Sequence, residues 1–354
     1  MANHGAVQVE KNLNTRTLIL NRAHKLNALS SQMVSRLHEV LIACEKDPEV
    51  KLVILRGKGK AFCVGGDAAQ TILDSTGGRW RLSARFLWNL YSLVYRISTL
   101  NKPQVFAMPE TLIGVVPDVG ASFFLSRLPG FFGEYVGLTG AKLDGVEMLA
   151  CGLATHFVPS IKLSLLNEAL NKVNTSDPVI ISAVIDEFSE QPPLKERSAY
   201  RRLDIIDRCF SQRTVEYVIS ALEIDSVKAE DAWISEAVHW MKKASPLTLK
   251  VFLKSIRRGR LQGLNQCLAQ EYRTSSHGLQ DGQDTFEGIR ANLVRKDHNP
   301  KWVPSRLELV TDEMVDRYFS KVDDEYFSKV DDDEWKDLVL PVRSNSSTSI
   351  MAKL

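Results

Sequence analysis

Two carboxylates, Glu110 and Asp118, stand eight residues apart in an otherwise apolar run, FAMPETLIGVVPDVG. A charged group in apolar surroundings is costly unless it is paired or used. Desolvation raises a carboxyl pKa toward neutrality, where the group can take or give a proton in a reaction. Each acid follows a proline, Pro109 and Pro117, which biases the residue before it toward extended or turn backbone. Asp118 equally suits the N-cap of a helix predicted over Ala121 to Leu128, and the two roles are compatible. A second candidate centre is KGKAFCVGGD, residues 58–67. Gly65 and Gly66 let backbone N–H groups turn toward one point and let a ligand come close, which can hold a developing oxyanion. Asp67 suits a helix N-cap, whose dipole favours negative charge. An ordinary strand–turn–helix corner would use the same residues.

These groups need a frame. The run Leu52-Val53-Ile54-Leu55 predicts a buried strand. Val7-Gln8-Val9 and Thr17-Leu18-Ile19-Leu20 predict two more, joined by a turn. Ser30 opens a helix whose Met33, Val34, Leu37, Val40, Leu41 and Cys44 share one face. Residues 68–100 read as mostly helical. His156-Phe157-Val158 reads as a final strand, with His156 a structural histidine. After Ser160 the pattern is a series of amphipathic helices, so the fold class is α/β followed by a helical region. Arg257, Arg258 and Arg260 read as a solvated basic face. Tyr318 to Asp324 recurs at Tyr326 to Asp332, a local duplication rather than a repeat fold.

Composition narrows the function. The net charge of +2 and the lack of a basic stripe interleaved with aromatics argue against a nucleic-acid partner. No stretch is apolar and long enough to span a membrane. The five cysteines have no CxxC spacing, which fits reduced thiols, and no metal-ligand cluster is spaced for a cofactor ion. The final tripeptide Ala352-Lys353-Leu354, after a Ser- and Asn-rich tail, is close to the peroxisomal address SKL, so a peroxisomal import receptor is an expected partner.

The segments NRAHKLNALS, VILRGKGKAFCVGGD, FAMPETLIGVVPDVGASFFLSRLPG and LTGAKLDGVEMLACGLATHFV together resemble the crotonase (enoyl-CoA hydratase/isomerase) superfamily. Within it, the PET…PDVGAS…LSRLPG block is similar to the 3-hydroxyisobutyryl-CoA hydrolases, specifically their plant peroxisomal branch. The resemblance implies a crotonase-like ββα spiral core and hydrolysis of 3-hydroxyisobutyryl-CoA in valine catabolism, with an acyl-CoA substrate and no cofactor. It implies a CoA-thioester domain over residues 1–190, a helical C-terminal region over 191–340 and a tail carrying the targeting tripeptide over 341–354. It places the oxyanion donor at Gly66 beside Gly65, the catalytic carboxylates at Glu110 and Asp118, and a contact to the CoA nucleotide at the Arg22 to Leu26 loop, with Lys25 and Leu26. It also implies that a glycine-rich segment with the second oxyanion donor is missing between Val105 and Phe106, and that Leu90 stands where the family has a substrate-binding acid. The other two readings are an enoyl-CoA hydratase or isomerase and a non-catalytic CoA-ester-binding or interaction protein.

Overall fold

A strand buried on both faces reads as a continuous apolar run, whereas a half-buried one alternates. β3 (Leu52–Gly57) is of the first kind and is the centre of the main sheet. The computed structural model describes residues 5–67, 70, 80–100, 104–107, 113–114, 119–228, 232–280, 283–322 and 337–341. β1 (Val7–Asn12) and β2 (Thr15–Leu20) form an antiparallel hairpin. α1 (Ser31–Lys46) carries the chain across to β3, which pairs parallel to β2. α2 (Trp80–Ser98) precedes β4 (Gln104–Ala107), which pairs parallel to β3, giving the sheet order β1-β2-β3-β4. Parallel neighbours require such crossovers, and both connections from β2 onward contain helix.

α1 follows its sequence pattern residue for residue. Ser30 accepts the Met33 N–H as N-cap, and the buried residues are Met33, Val34, Leu37, Val40, Leu41 and Cys44. That face packs with Leu18, Leu20, Val53, Leu90 and Leu93 on one side of the sheet. Leu52 and Ile54 point to the other side, against α6 (Leu163–Asn171) and α7 (Pro178–Asp186) through Leu166, Leu170, Ile181 and Ile185. Before these come β5 (Ile113–Gly114), α3 (Ala121–Leu125), α4 (Phe132–Thr139), β6 (Lys142–Leu143), which pairs with β5, and α5 (Gly145–Ala150).

The remaining helices build a second core. α8 (Leu203–Phe210), α9 (Val215–Lys228), α10 (Ala232–Lys243) and α11 (Pro246–Gly259) enclose α4 and bury Phe132, Phe210 and Ile256. α12 (Leu264–Gln280) lies along α2, joining Leu87, Tyr91 and Tyr95 to Leu268 and Tyr272. α13 (Gln283–Ile289) and α14 (Asp312–Arg317) follow.

Two sequence expectations need correction. His156-Phe157-Val158 forms no strand: Glu190 donates its N–H to the Phe157 carbonyl at 2.8 Å, and His156 bonds Ser182 at 3.0 Å. The helix after Gly120 stops at Leu125 rather than Leu128, since Leu128 precedes Pro129 and is steered out of helical backbone. The helical reading of residues 68–100 holds over Trp80–Ser98 and at Gln70, and residues 68–69 and 71–79 lie outside the described residues. The arginine trio is solvated at Arg258 and Arg260, as expected, and each member also has a partner. Arg257 donates to the carbonyls of Gln212 and Arg213 at 2.5 and 2.7 Å, and Arg260 to buried Glu134 at 2.8 Å. Arg258 stacks 4.6 Å from the centre of the Phe319 ring.

Candidate active site

The glycine corner is built from backbone alternation. Leu29 donates its N–H to the Gly65 carbonyl at 2.9 Å and accepts the Asp67 N–H at 3.0 Å, an isolated parallel bridge opposite Gly66. Successive peptide groups in extended chain face opposite ways. The Gly66 N–H therefore turns away from Leu29, and none of the described residues accepts a hydrogen bond from it. Gly65 makes the turn with φ +87°, backbone that a side chain would strain. Its N–H reaches the Cys63 sulfur at 3.3 Å. Burial pushes the Cys63 thiol up, against the Gly65 hydrogen bond, so it stays protonated at neutral pH.

A polar network holds this corner from behind. Asn27, fully buried with φ +58°, accepts the Arg22 N–H at 2.8 Å and donates to the Lys58 and Ala61 carbonyls at 3.0 and 2.7 Å. The Arg22 guanidinium bonds the Asp67 carboxylate at 2.7 Å and the Ala28 carbonyl at 3.0 Å. Asp67 Oδ1 also accepts the Gln70 N–H at 3.3 Å, the helix-start role expected of it. Burial pushes the Asp67 carboxyl up, but the Arg22 and Gln70 hydrogen bonds and the charges of Arg22 and Lys25 outweigh it and hold it below its ordinary value. The short 3-10 turn Ala23–Lys25 and Leu26 project outward, with Lys25 and Leu26 exposed.

Gly66 forms part of the wall of a cavity of about 290 Å³, roughly ten water volumes. Phe86, Leu87 and Leu90 of α2 make its apolar side; a Cβ added at Gly66 would lie 3.1 Å from the Phe86 ring and 3.5 Å from Leu90. Ser122, Ser255, Glu271 and Ser275 supply polar groups to the rest of the wall. The wall thus combines the first crotonase-like layer with helices of the C-terminal half.

Glu110 and Asp118 lie outside the described residues, as do Ala352, Lys353 and Leu354. The turn immediately after Asp118 is described. Val119 has φ +53° and Gly120 φ +101°. A β-branched residue in this region is rare, and such backbone costs about 1–3 kcal/mol unless its surroundings impose it. Here the N-cap of α3 is Gly120, not Asp118. The capping carboxylate comes from Glu271, which accepts the N–H groups of Gly120 and Ser122 at 2.5 and 2.7 Å and the Ser122 hydroxyl at 2.5 Å. Sequence reading missed Asn27 and Glu271. Asn27 sits in the basic loop that had been singled out, but nothing local marks Glu271.

The sheet with its crossover helices, the glycine corner and the cavity over it define a class, and comparison names it. The enoyl-CoA hydratase/isomerase profile matches residues 15–106 and 104–319, and this chain belongs to that family. It is similar to 3-hydroxyisobutyryl-CoA hydrolase 1 of Arabidopsis thaliana, at 50% identity with 100% of this chain and 99% of that protein covered. It is also similar to 3-hydroxyisobutyryl-CoA hydrolase, mitochondrial, of Homo sapiens, at 33% identity over 89% of each. Among solved structures, a carnitinyl-CoA dehydratase from Mycobacterium thermoresistibile superposes with TM-score 0.79 and 32% identity, covering 90% of this chain and 97% of that one. The fold is the crotonase fold. The Arabidopsis alignment runs over 384 positions, 30 more than the 354 residues present, and the two profile matches meet at 104–106. Both agree with a segment absent at Val105–Phe106. β4 closes over that junction without a slip, pairing Ile54 with Val105 and Leu55 with Phe106.

Proposed function

We propose that this chain hydrolyses 3-hydroxyisobutyryl-CoA to 3-hydroxyisobutyrate and CoA, a step of valine catabolism. The observation that carries the reading is the Gly66 amide, left without an acceptor among the described residues on the wall of a cavity. A preorganised N–H aimed at a thioester oxygen stabilises the oxyanion formed when water adds to the carbonyl carbon. Glu110 and Asp118 divide the remaining work. One acts as nucleophile or activates the water; the other orients the substrate or gives a proton to the thiolate as the C–S bond breaks. Lys25 and Leu26, exposed beside the corner, suit the CoA nucleotide. The relatives named above as 3-hydroxyisobutyryl-CoA hydrolases support the acyl group. Delivery to the peroxisome through Ala352, Lys353 and Leu354 belongs to the same proposal; a fluorescent fusion lacking the tripeptide should stay outside that organelle.

The test is release of free thiol from 3-hydroxyisobutyryl-CoA. Glu110→Gln and Asp118→Asn should each abolish most of it, and unchanged release in both would remove the assignment. One oxyanion donor instead of two should leave turnover about 10²–10³ below that of a family member with the full segment. The 30 absent positions also favour a second reading, binding of CoA esters without turnover. Folded protein that binds the thioester and releases no thiol would establish it.

A further inference from the structure

Ser255 of α11 is 6% exposed and lines the cavity that Gly66 also lines. Its oxygen accepts the Gln270 side-chain amide at 3.5 Å, the long limit of a hydrogen bond, and among the described residues nothing takes its hydrogen. A hydroxyl within a helix commonly returns to a carbonyl one turn back. Thr274 and Ser276 of α12 do this, donating to the carbonyls of Glu271 and Tyr272 at 2.9 and 2.8 Å. Ser255 does not. A buried hydroxyl whose hydrogen is unused is costly until an acceptor reaches it. Ser275 of α12 lines the same cavity, half-buried, with its hydroxyl already bonded to Tyr91 at 3.1 Å.

The rest of the wall limits what that acceptor can be. Phe86, Leu90, Phe252 and Ile289 give it apolar surface, and its described residues include no lysine, arginine or histidine. An anionic acyl group would leave water there without a counter-ion, which is costly. A neutral acyl group with one hydroxyl suits the whole wall, its carbons against the apolar side chains and its oxygen against Ser255. A thioester oxygen held by the Gly66 N–H brings the acyl group to this cavity, because Gly66 is part of its wall. We propose that Ser255 is a specificity-determining residue: its O–H donates to the hydroxyl oxygen of a short, neutral hydroxyacyl group. The site then prefers the hydroxylated ester to its unsubstituted and carboxylated analogues, because only the first satisfies the buried donor without burying a charge. The selection comes from the helical C-terminal half and the oxyanion donor from the glycine corner. This rests on the reading of Gly66 as the donor that holds the thioester.

The experiment compares thiol release from 3-hydroxyisobutyryl-CoA, isobutyryl-CoA and methylmalonyl-CoA. The second lacks the hydroxyl, and the third carries a carboxylate in place of the hydroxymethyl group. In the parent chain kcat/KM should fall in that order. Ser255→Ala should cut the preference for 3-hydroxyisobutyryl-CoA over isobutyryl-CoA about tenfold, with kcat/KM for isobutyryl-CoA kept within about twofold of the parent. Alanine suits a helix interior, and Ser255→Cys, whose thiol is a weaker donor, should fall between the two and serves if the alanine variant does not fold. A purely structural role would lower both esters alike, and an unchanged ratio overturns the proposal. So does a ratio that collapses in Ser275→Ala but not in Ser255→Ala, which would give the acyl hydroxyl to Ser275. A parent chain that uses methylmalonyl-CoA as well as 3-hydroxyisobutyryl-CoA also overturns it. Folded parent that releases no thiol from any ester defeats the hydrolase reading but leaves the esters intact, so the same ratios are then read as Kd by titration calorimetry. A Kd ratio about tenfold smaller in Ser255→Ala upholds the role of Ser255 without turnover, and a parental Kd ratio overturns it.

Discussion

Two turns meet the same cavity and are held in opposite ways. At Gly65–Asp67 the flanking peptide groups are spent on Leu29, which leaves the Gly66 N–H without an acceptor among the described residues. At Val119–Ser122 the amides of Gly120 and Ser122 are both consumed by Glu271. An N–H on a cavity wall that no described residue accepts is open to an acceptor brought by a ligand. A turn with two amides held by one carboxylate is arranged to stay where it is. The first corner leaves a donor open and the second is a held turn, and the proposed chemistry uses the open donor.

The sharpest way to break this contrast is to delete the free donor alone. Gly66→Pro removes that N–H but neither bond of the bridge, since those belong to Leu29, Gly65 and Asp67. The expected loss is 10²–10³ in kcat, about 2.7–4 kcal/mol, with KM for the CoA ester changed far less. Stopped-assay thiol release against substrate concentration reads both. A loss confined to KM would mean that the Gly66 amide serves only ground-state binding.

The paired turn should respond in stability rather than in rate-limiting charge stabilisation. Gly120 has φ +101°, and an added Cβ would lie 2.9 Å from the edge of the Phe124 ring. Gly120→Ala therefore combines strain with a clash and should destabilise by about 1–3 kcal/mol in a urea titration. Gly66→Ala has no positive φ to strain and meets only the Phe86 ring and Leu90, so its stability change should be the smaller of the two. The reverse order would mean that the Gly120 turn is not the rigid one.

What could be read from the chain divides along the same line. The α1 face, the Ser30 cap and the two-sided burial of β3 were legible because each depends on spacing within one element. The glycine corner was legible as a strand–turn–helix corner because strand, glycine pair and acid are contiguous. Glu271 was invisible: its partners lie about 150 residues away, and a glutamate within an amphipathic helix reads as solvated. The pairing of Arg260 with Glu134 was invisible for a related reason, since it spans 126 residues and a charge run says nothing of a buried partner. The family resemblance, carried by whole blocks rather than periodicity, supplied the crotonase fold that spacing alone left as α/β.

The smallest effect tests the support behind the free amide. Arg22 and Asp67 bridge the loop at residues 22–26 to the glycine corner and are both partly exposed. The folded Asp67 carboxyl is held below its ordinary 3.8 by Arg22 and its neighbours against the upward push of burial. A carboxyl with a depressed folded pKa contributes stability above its unfolded pKa and loses it as pH falls through the folded value. The pair should therefore be intact at pH 7 and above about pH 4, and weaken progressively below 3.8. A partly exposed pair of this kind is worth roughly 0.2–1 kcal/mol. Asp67→Asn should lose that amount at pH 7 and flatten the acid limb by the same amount, measured as urea midpoints from pH 7 to pH 3. Because the Leu29 bridge uses only backbone of this corner, kcat in Asp67→Asn should stay within a few-fold of the parent while KM for the CoA ester rises, the loop at Arg22 having lost its tether. A collapse of kcat instead would mean that the ion pair, and not the bridge, aims the Gly66 amide.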